Sequence, residues 1–317
     1  MSPPSAPPSP TLNPYVADPG WHGYIVWYFF LGGIAAGAYV MAALADLFGT
    51  AADRRAVRPA YYLAFPLVNV CGILLILDLN RPERFWHMLI QSRTGWPMFK
   101  WWSPISVGSW GLTLFGGFSL ASFLGVLAED GRFGLRRFSD LAARLRTGWT
   151  GRLFALGGSL SAFFLGSYTG VLLGATNQPI WADTTWIGAL FLASAASTGV
   201  AAMILADRLV GGEVDHRALE SLERLDSYAI ALELILLATL ALSLGELGAL
   251  AFGRWPGWLV PWVVVPFGLV LPLLLRRLPG RGAAVLAALF VLAGGFVLRY
   301  AFVYLPTAFY LVPGHHG

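Results

Sequence analysis

Residues 73–89 read ILLILDLNRPERFWHML, an apolar run that breaks into a dense knot of charged and polar side chains. Asp78, Asn80, Arg81, Glu83, Arg84 and His87 follow directly on aliphatic residues, which places them where a membrane helix surfaces. Pro82 lacks a donor N–H and pushes Arg81 away from helical dihedrals, so the helix is expected to end near Leu79. The knot reads as a mouth, with helices gathered around it to hold a ligand.

Composition agrees with that reading. Of 317 residues, 57% are hydrophobic and 12% charged, and the mean hydropathy is +0.65, which describes a polytopic membrane protein. The formal charge of +4 rests on 21 basic against 17 acidic residues, and this excess reads as membrane topology, not nucleic-acid binding. The one cysteine, Cys71, lies in an apolar run, so no disulfide framework and no thiolate set for zinc or an iron–sulfur cluster is expected. His22, His216, His315 and His316 fall in loops, tails or at a helix mouth, and His87 lies in the knot. No haem is expected, because axial histidines would have to sit within the spans.

Residues 1–20 contain seven prolines and no basic residue, the composition of a flexible tail without the positive n-region of a secretory signal. A first span is expected over 23–48, with Trp21, Trp27 and Tyr28 at its aromatic-belt end. Gly33 and Gly37 form a small-xxx-small pair that lets another helix approach closely. Further runs long enough for about 30 Å of hydrocarbon occupy 61–79, 103–127, 152–175, 185–206, 227–250, 258–275 and 283–304. The expected fold is all-α, a polytopic membrane protein of eight transmembrane helices joined by short loops. Residues 21–177 would form an N-terminal four-helix bundle, 178–305 a second group of four helices, and 306–317 a short tail.

The connections after the first, third, fifth and seventh spans hold fifteen arginines. The tails and the other connections hold only Arg81, Arg84, Arg93, Lys100 and Arg254, with Arg299 left inside the eighth span. Both termini are therefore predicted outside the cytoplasm, in a bacterial inner membrane. Four of those five exceptions lie between the second and third spans. Either Arg81, Arg84 and Arg93 form a docking surface for an extracytoplasmic partner, or the cluster pairs with Asp78, Glu83 and lipid phosphates.

With that topology, polar features converge on the outer face of the first four spans. Gly166, Gly170 and Gly174 recur every four residues and mark one closely packing face, while Tyr168 lies about 160° round the helix from them. A phenol that deep is expected to have a partner for its hydroxyl; the plainer alternative is a phenol bonded to a helix backbone or facing lipid. An aromatic-lined slot with a phenol, an imidazole and a carboxylate suits a quinone, whose carbonyls need donors and whose reduction takes two protons. His22 has a suitable ordinary pKa for proton exchange. Asp78 could relay a proton or pair with Arg81 or Arg84. Glu233, about two turns into the sixth span, is costly as a bare charge, and Asp226 with Glu233 sketches a proton route from the cytoplasm.

Four stretches in this order resemble the NrfD/PsrC family, the membrane subunits of polysulfide-reductase-type respiratory enzymes. They are YFFLGGIAAGAYV (28–40), LDLNRPERFWHML (77–89), WWSPISVGSWGL (101–112) and SYTGVLLGATNQPIW (167–181). The resemblance implies an eight-helix subunit without metal or haem, whose first four helices bind menaquinone or ubiquinone near the extracytoplasmic face. It implies a ferredoxin-like [4Fe–4S] partner subunit and, beyond it, a molybdopterin catalytic subunit. Tyr168 matches the family tyrosine that touches the quinone head group, and Asn177 matches the asparagine before the proline of the following loop. On the first span the match leaves Tyr28 and His22 as alternatives. Asn80 replaces a glycine common in relatives, while Asp78, Arg81 and Pro82 are kept. A solute transporter would instead be expected to show broken helices at mid-bilayer and an inverted repeat. A purely structural anchor would bind no quinone.

Overall fold

The computed structural model describes residues 20, 21, 23–50, 54, 57–131, 134, 139, 140, 148–210, 216–278 and 280–310, and statements of absence below concern these. Among them the chain is all-helical, with an isolated antiparallel bridge between Ile90 and Pro97. The long helices are α1 (Gly23–Phe48), α2 (Arg58–Leu77), α3 (Pro104–Glu129), α4 (Gly148–Gly174), α5 (Trp186–Val210) and α6 (His216–Leu244). A short α7 (Glu246–Gly253) follows, then a π-helical turn (Val260–Val270) continued by α8 (Leu271–Leu275), and finally α9 (Arg281–Tyr304) and α10 (Thr307–Tyr310).

Seven helices, α1–α6 and α9, are long and apolar enough to cross a membrane. The remaining expected crossing, 258–275, is a shorter apolar helix over Val260–Leu275. Pro266 lies inside the turn and lacks an N–H, so the ordinary α ladder cannot run through it and the backbone adopts the wider π turn, whereas Pro261 and Pro272 stand in first turns, where a missing N–H costs little.

α1 is the hub. It packs against α2, α4, α5 and α9, and the pairs α2/α3 and α3/α4 close a ring with it. α5 packs on α1 and α4 and also carries α6 and α9. The α1/α5 crossing is backbone against backbone: a Cβ on Gly37 would lie 1.8 Å from the Ala195 carbonyl oxygen, and one on Gly199 would lie 2.3 Å from the Ala38 nitrogen. Without a hydrophobic driving force in lipid, such close van der Waals contact is what joins helices. The expected glycine pair on α1 thus divides its work. Gly37 admits a helix, whereas Gly33 admits the Arg299 guanidinium, whose Nη2 would lie 2.5 Å from a Cβ there.

Neighbouring helices run up and down. Arg58 at the start of α2 bridges Glu129 and Asp130 at the end of α3 at 2.6 and 2.9 Å. Tyr61 donates to Asp46 near the end of α1 at 2.5 Å, and Arg276 after α8 pairs with Asp226 near the start of α6. One end of the molecule is therefore rich in arginine. The other end gathers the tryptophans of the α2–α3 and α4–α5 connections.

Candidate functional site

The α2–α3 connection is built by its prolines and one glycine. α2 stops at Leu77, the Asp78 N–H still bonding Leu74 O, and Pro82 opens a 3-10 turn over Pro82–Met88. The chain then doubles back, with Met98 N bonding Leu89 O at 2.8 Å and Gln91 N bonding Trp96 O at 2.9 Å. Gly95, at φ +70°, makes the turn. Trp110 Nε1 donates to Met98 O at 3.0 Å and fastens this hairpin to α3. Arg81, Arg84 and Arg93 are all exposed, as are Trp96 (73%), Trp101 (75%) and Trp102 (66%). Arg84 approaches Glu83 only to 4.0 Å with both side chains mostly in solvent, a contact of negligible worth.

α3 begins beside this hairpin. Ser103 caps it by accepting from Ser106 N, and Pro104 sits where its missing N–H costs nothing. A carbonyl oxygen has two lone pairs, and Pro104 O uses one to accept from the Tyr168 hydroxyl at 2.5 Å. Tyr168 is buried, stacks on Phe164 with ring centroids 5.3 Å apart, and lies against Gly108, where a Cβ would fall 2.3 Å from its hydroxyl. The opposite face of α4 behaves as its spacing predicts: Gly170 meets the backbone of Ile187 and Gly188, and Gly166 meets Leu192 and Ala195. One face packs on α5 and the other delivers a phenol to the start of α3.

Tyr28 is buried on α1, which packs against α4. Its carbonyl accepts a weak bond from Cys71 Sγ at 3.7 Å. Trp27 points elsewhere, stacking on Phe296 of α9 at 4.6 Å. Asp78 caps α2 and Asn177 stands exposed after α4, both at the tryptophan-rich end. His22 lies outside the described residues. The loop carrying Asn177 is pinned by Trp181, which is fully buried, donates to Phe302 O at 2.7 Å and stacks on Trp21 at 5.0 Å. Ile180 in the same loop has φ +70°, an outlier for a β-branched residue, stabilised by Asp183 accepting from its N–H at 2.8 Å.

A second polar cluster joins α5, α6, α9 and α1. Arg299 is fully buried; its Nε donates to Phe29 O at 2.9 Å, and its Nη1 donates to Ser194 Oγ at 3.0 Å and Gly295 O at 2.8 Å. Glu233, 1% exposed, accepts from Ser197 Oγ at 3.0 Å. Two serines of α5, three residues apart, thus serve opposite charges on two other helices. A guanidinium at such depth costs about 2.5–3.5 kcal/mol, which these hydrogen bonds offset. Asp226 lies near the expected cytoplasmic end of its span, where the sequence alone makes solvation a sufficient account of its charge; in the structure it is instead fully buried, and Arg276 neutralises it while also bonding Ser227 Oγ and Glu223 O. Asp207 is buried too, at 6% exposure.

The sequence reading missed a third feature. At the arginine-rich end, Tyr39, Asp46, Tyr61 and Ser122, with Arg54 and Arg152, line a cavity of about 160 Å³. Tyr39 and Ser122 share a 2.8 Å hydrogen bond there. Among the described residues, no three His, Cys, Asp or Glu side chains gather closely enough to hold a metal ion.

Comparison with known proteins accords with this architecture. A family model described as polysulphide reductase, NrfD, matches residues 15–310. A component of the polysulfide reductase of Wolinella succinogenes is 30% identical over 91% of this chain and 95% of its own length. Protein NrfD of Escherichia coli is 26% identical over 90% and 94%. A shorter match, 30% identical over 22% of this chain and 16% of the relative, falls to a component of the selenate reductase of Mesobacillus selenatarsenatis. With its apolar helices, its packing and a match along nearly its whole length, this chain belongs to the NrfD polysulphide reductase family, as a multi-pass membrane subunit.

Proposed function

We propose that this subunit binds a quinone or quinol, menaquinone or ubiquinone, at the tryptophan-rich end of α1–α4. There it would exchange electrons between the membrane pool and a partner iron–sulfur subunit. The observation that carries the reading is Tyr168: a phenol set deep in a membrane helix, seated in a notch that Gly108 leaves open, with Tyr28 buried on the neighbouring α1. The donor set fits a quinone head. Phe164 and the exposed Trp101, Trp102 and Ile105 offer apolar wall, while the Tyr168 oxygen keeps a lone pair to accept from a quinol hydroxyl. When bound, the quinone supplies the two-electron, two-proton chemistry. Tyr168 orients its head group, and Asn177 and Asp78 at the same end serve as polar partners. His22 exchanges protons with water.

Two relatives are named as single components of larger enzymes, a polysulfide reductase and a selenate reductase. That naming supports partner subunits here: a ferredoxin-like [4Fe–4S] protein and a molybdopterin enzyme behind it. The exposed arginines and tryptophans of the α2–α3 hairpin have the composition of an interface hot spot. Reversing the charges of Arg81, Arg84 and Arg93 to Glu is expected to release the iron–sulfur subunit from washed membranes. Retention measured by immunoblot would remove the hairpin as the docking surface.

Proton transfer is assigned to the buried carboxylates. With both termini outside, as the arginine distribution predicts, Asp226 faces the cytoplasm and Glu233 continues the line inward. Glu233→Gln keeps the Ser197 partner but removes the exchangeable proton. It is expected to slow cytoplasmic-side proton uptake about 10-fold or more in vesicles. Unchanged uptake at full turnover would eliminate this route. A structural anchor or a transporter without a quinone site would be indifferent to changes at Tyr168.

A further inference from the structure

We propose a binding site for an anionic phospholipid in the groove between the end of α1 and the start of α6. α5 packs against both helices while α1 and α6 barely touch, and the gap between them is a groove of about 460 Å³. Leu44 and Phe48 of α1 face Leu222 and Leu225 of α6 across it, and Ser221 and Arg224 form its polar rim. Phe48 is 83% exposed at the last residue of its helix. Among the described residues that ring is left largely uncovered by protein, and an acyl chain in the groove supplies the cover.

The rim is the specific part. Arg224 is exposed and pairs with no carboxylate among the described residues. It stands at the end that also gathers Arg54, Arg152 and Arg208, and Arg208 Nε is itself buried without a hydrogen-bond partner. A phosphate beside Arg224 with one acyl chain along Leu44 and Leu225 satisfies both halves of the groove. Basic pockets between membrane helices favour anionic headgroups, at a gain of about fivefold per arginine near the surface. A zwitterionic lipid supplies the chain, but its ammonium offsets the attraction. The bound lipid braces the hub helix against α6, and the site does not depend on which redox ligand the other end holds.

The test is native mass spectrometry of the purified full chain in neutral detergent, with phosphatidylglycerol or phosphatidylcholine of identical acyl chains. The expected result is retention of phosphatidylglycerol at about fivefold lower lipid concentration. Arg224→Gln removes that preference and Arg224→Lys keeps it. Leu225→Trp fills the groove and weakens both lipids. Because the Arg224 side chain is exposed, its variants test the headgroup contact even if Leu225→Trp fails to fold. Equal retention of the two lipids, an undiminished preference in Arg224→Gln, or equal stabilisation by inorganic phosphate alone would each overturn the proposal.

Discussion

Tyr168→Phe is expected to lower quinone-coupled turnover about 100-fold while the subunit still accumulates in membranes. Only the hydroxyl is lost. Its bond to Pro104 O is a single neutral hydrogen bond, worth about 1 kcal/mol, which is too little to undo the packing of seven apolar helices. The stack on Phe164 and the fit against Gly108 survive in phenylalanine. What disappears is the phenolic oxygen, whose free lone pair accepts from a quinol hydroxyl. Turnover per assembled complex, measured with a quinol analogue, decides the matter. A change of less than about twofold would reduce the phenol to a tether between α4 and α3.

Gly37→Ala should be nearly as severe, but for folding instead of chemistry. The added methyl would sit 1.8 Å from the Ala195 carbonyl oxygen and 2.5 Å from its carbon, and both are backbone atoms that cannot rotate aside. α1 and α5 would have to separate, at a cost of about 1–3 kcal/mol or more for overpacking, in the contact that joins α5 to the hub. The expected result is a several-fold loss of membrane-inserted protein and a lower melting temperature in detergent. Gly72→Ala, where a methyl meets open space on α2, is the matched control and should be silent. Wild-type accumulation and melting of Gly37→Ala would show that the two backbones lie further apart.

The sequence carried the helices well, because runs of apolar residues longer than a bilayer is thick leave few alternatives. It also carried the division of α4 into a glycine face and a phenol face, since a spacing of four residues fixes direction round a helix. It could not say what each face meets. Arg299 was visible as a charge in the last span, but its partners Phe29 and Ser194 lie 270 and 105 residues away. The pairing of Asp226 with Arg276 crosses 50 residues, and that of Tyr39 with Ser122 crosses 83. Periodicity does not encode such distances. In the stretch 258–275 the apolar run was legible but its π turn was not: hydropathy registers Pro266 as apolar, whereas the helix ladder registers a missing donor.

The position of the quinone head is open to direct measurement by photolabelling the assembled complex with an azido-quinone, followed by peptide mapping. Label is predicted on 99–108 and 164–177, the segments that meet at Tyr168, and it should be competed away by unlabelled quinone. Competable label confined to α6–α9 or to the arginine-rich end of α1 would contradict a quinone site at Tyr168.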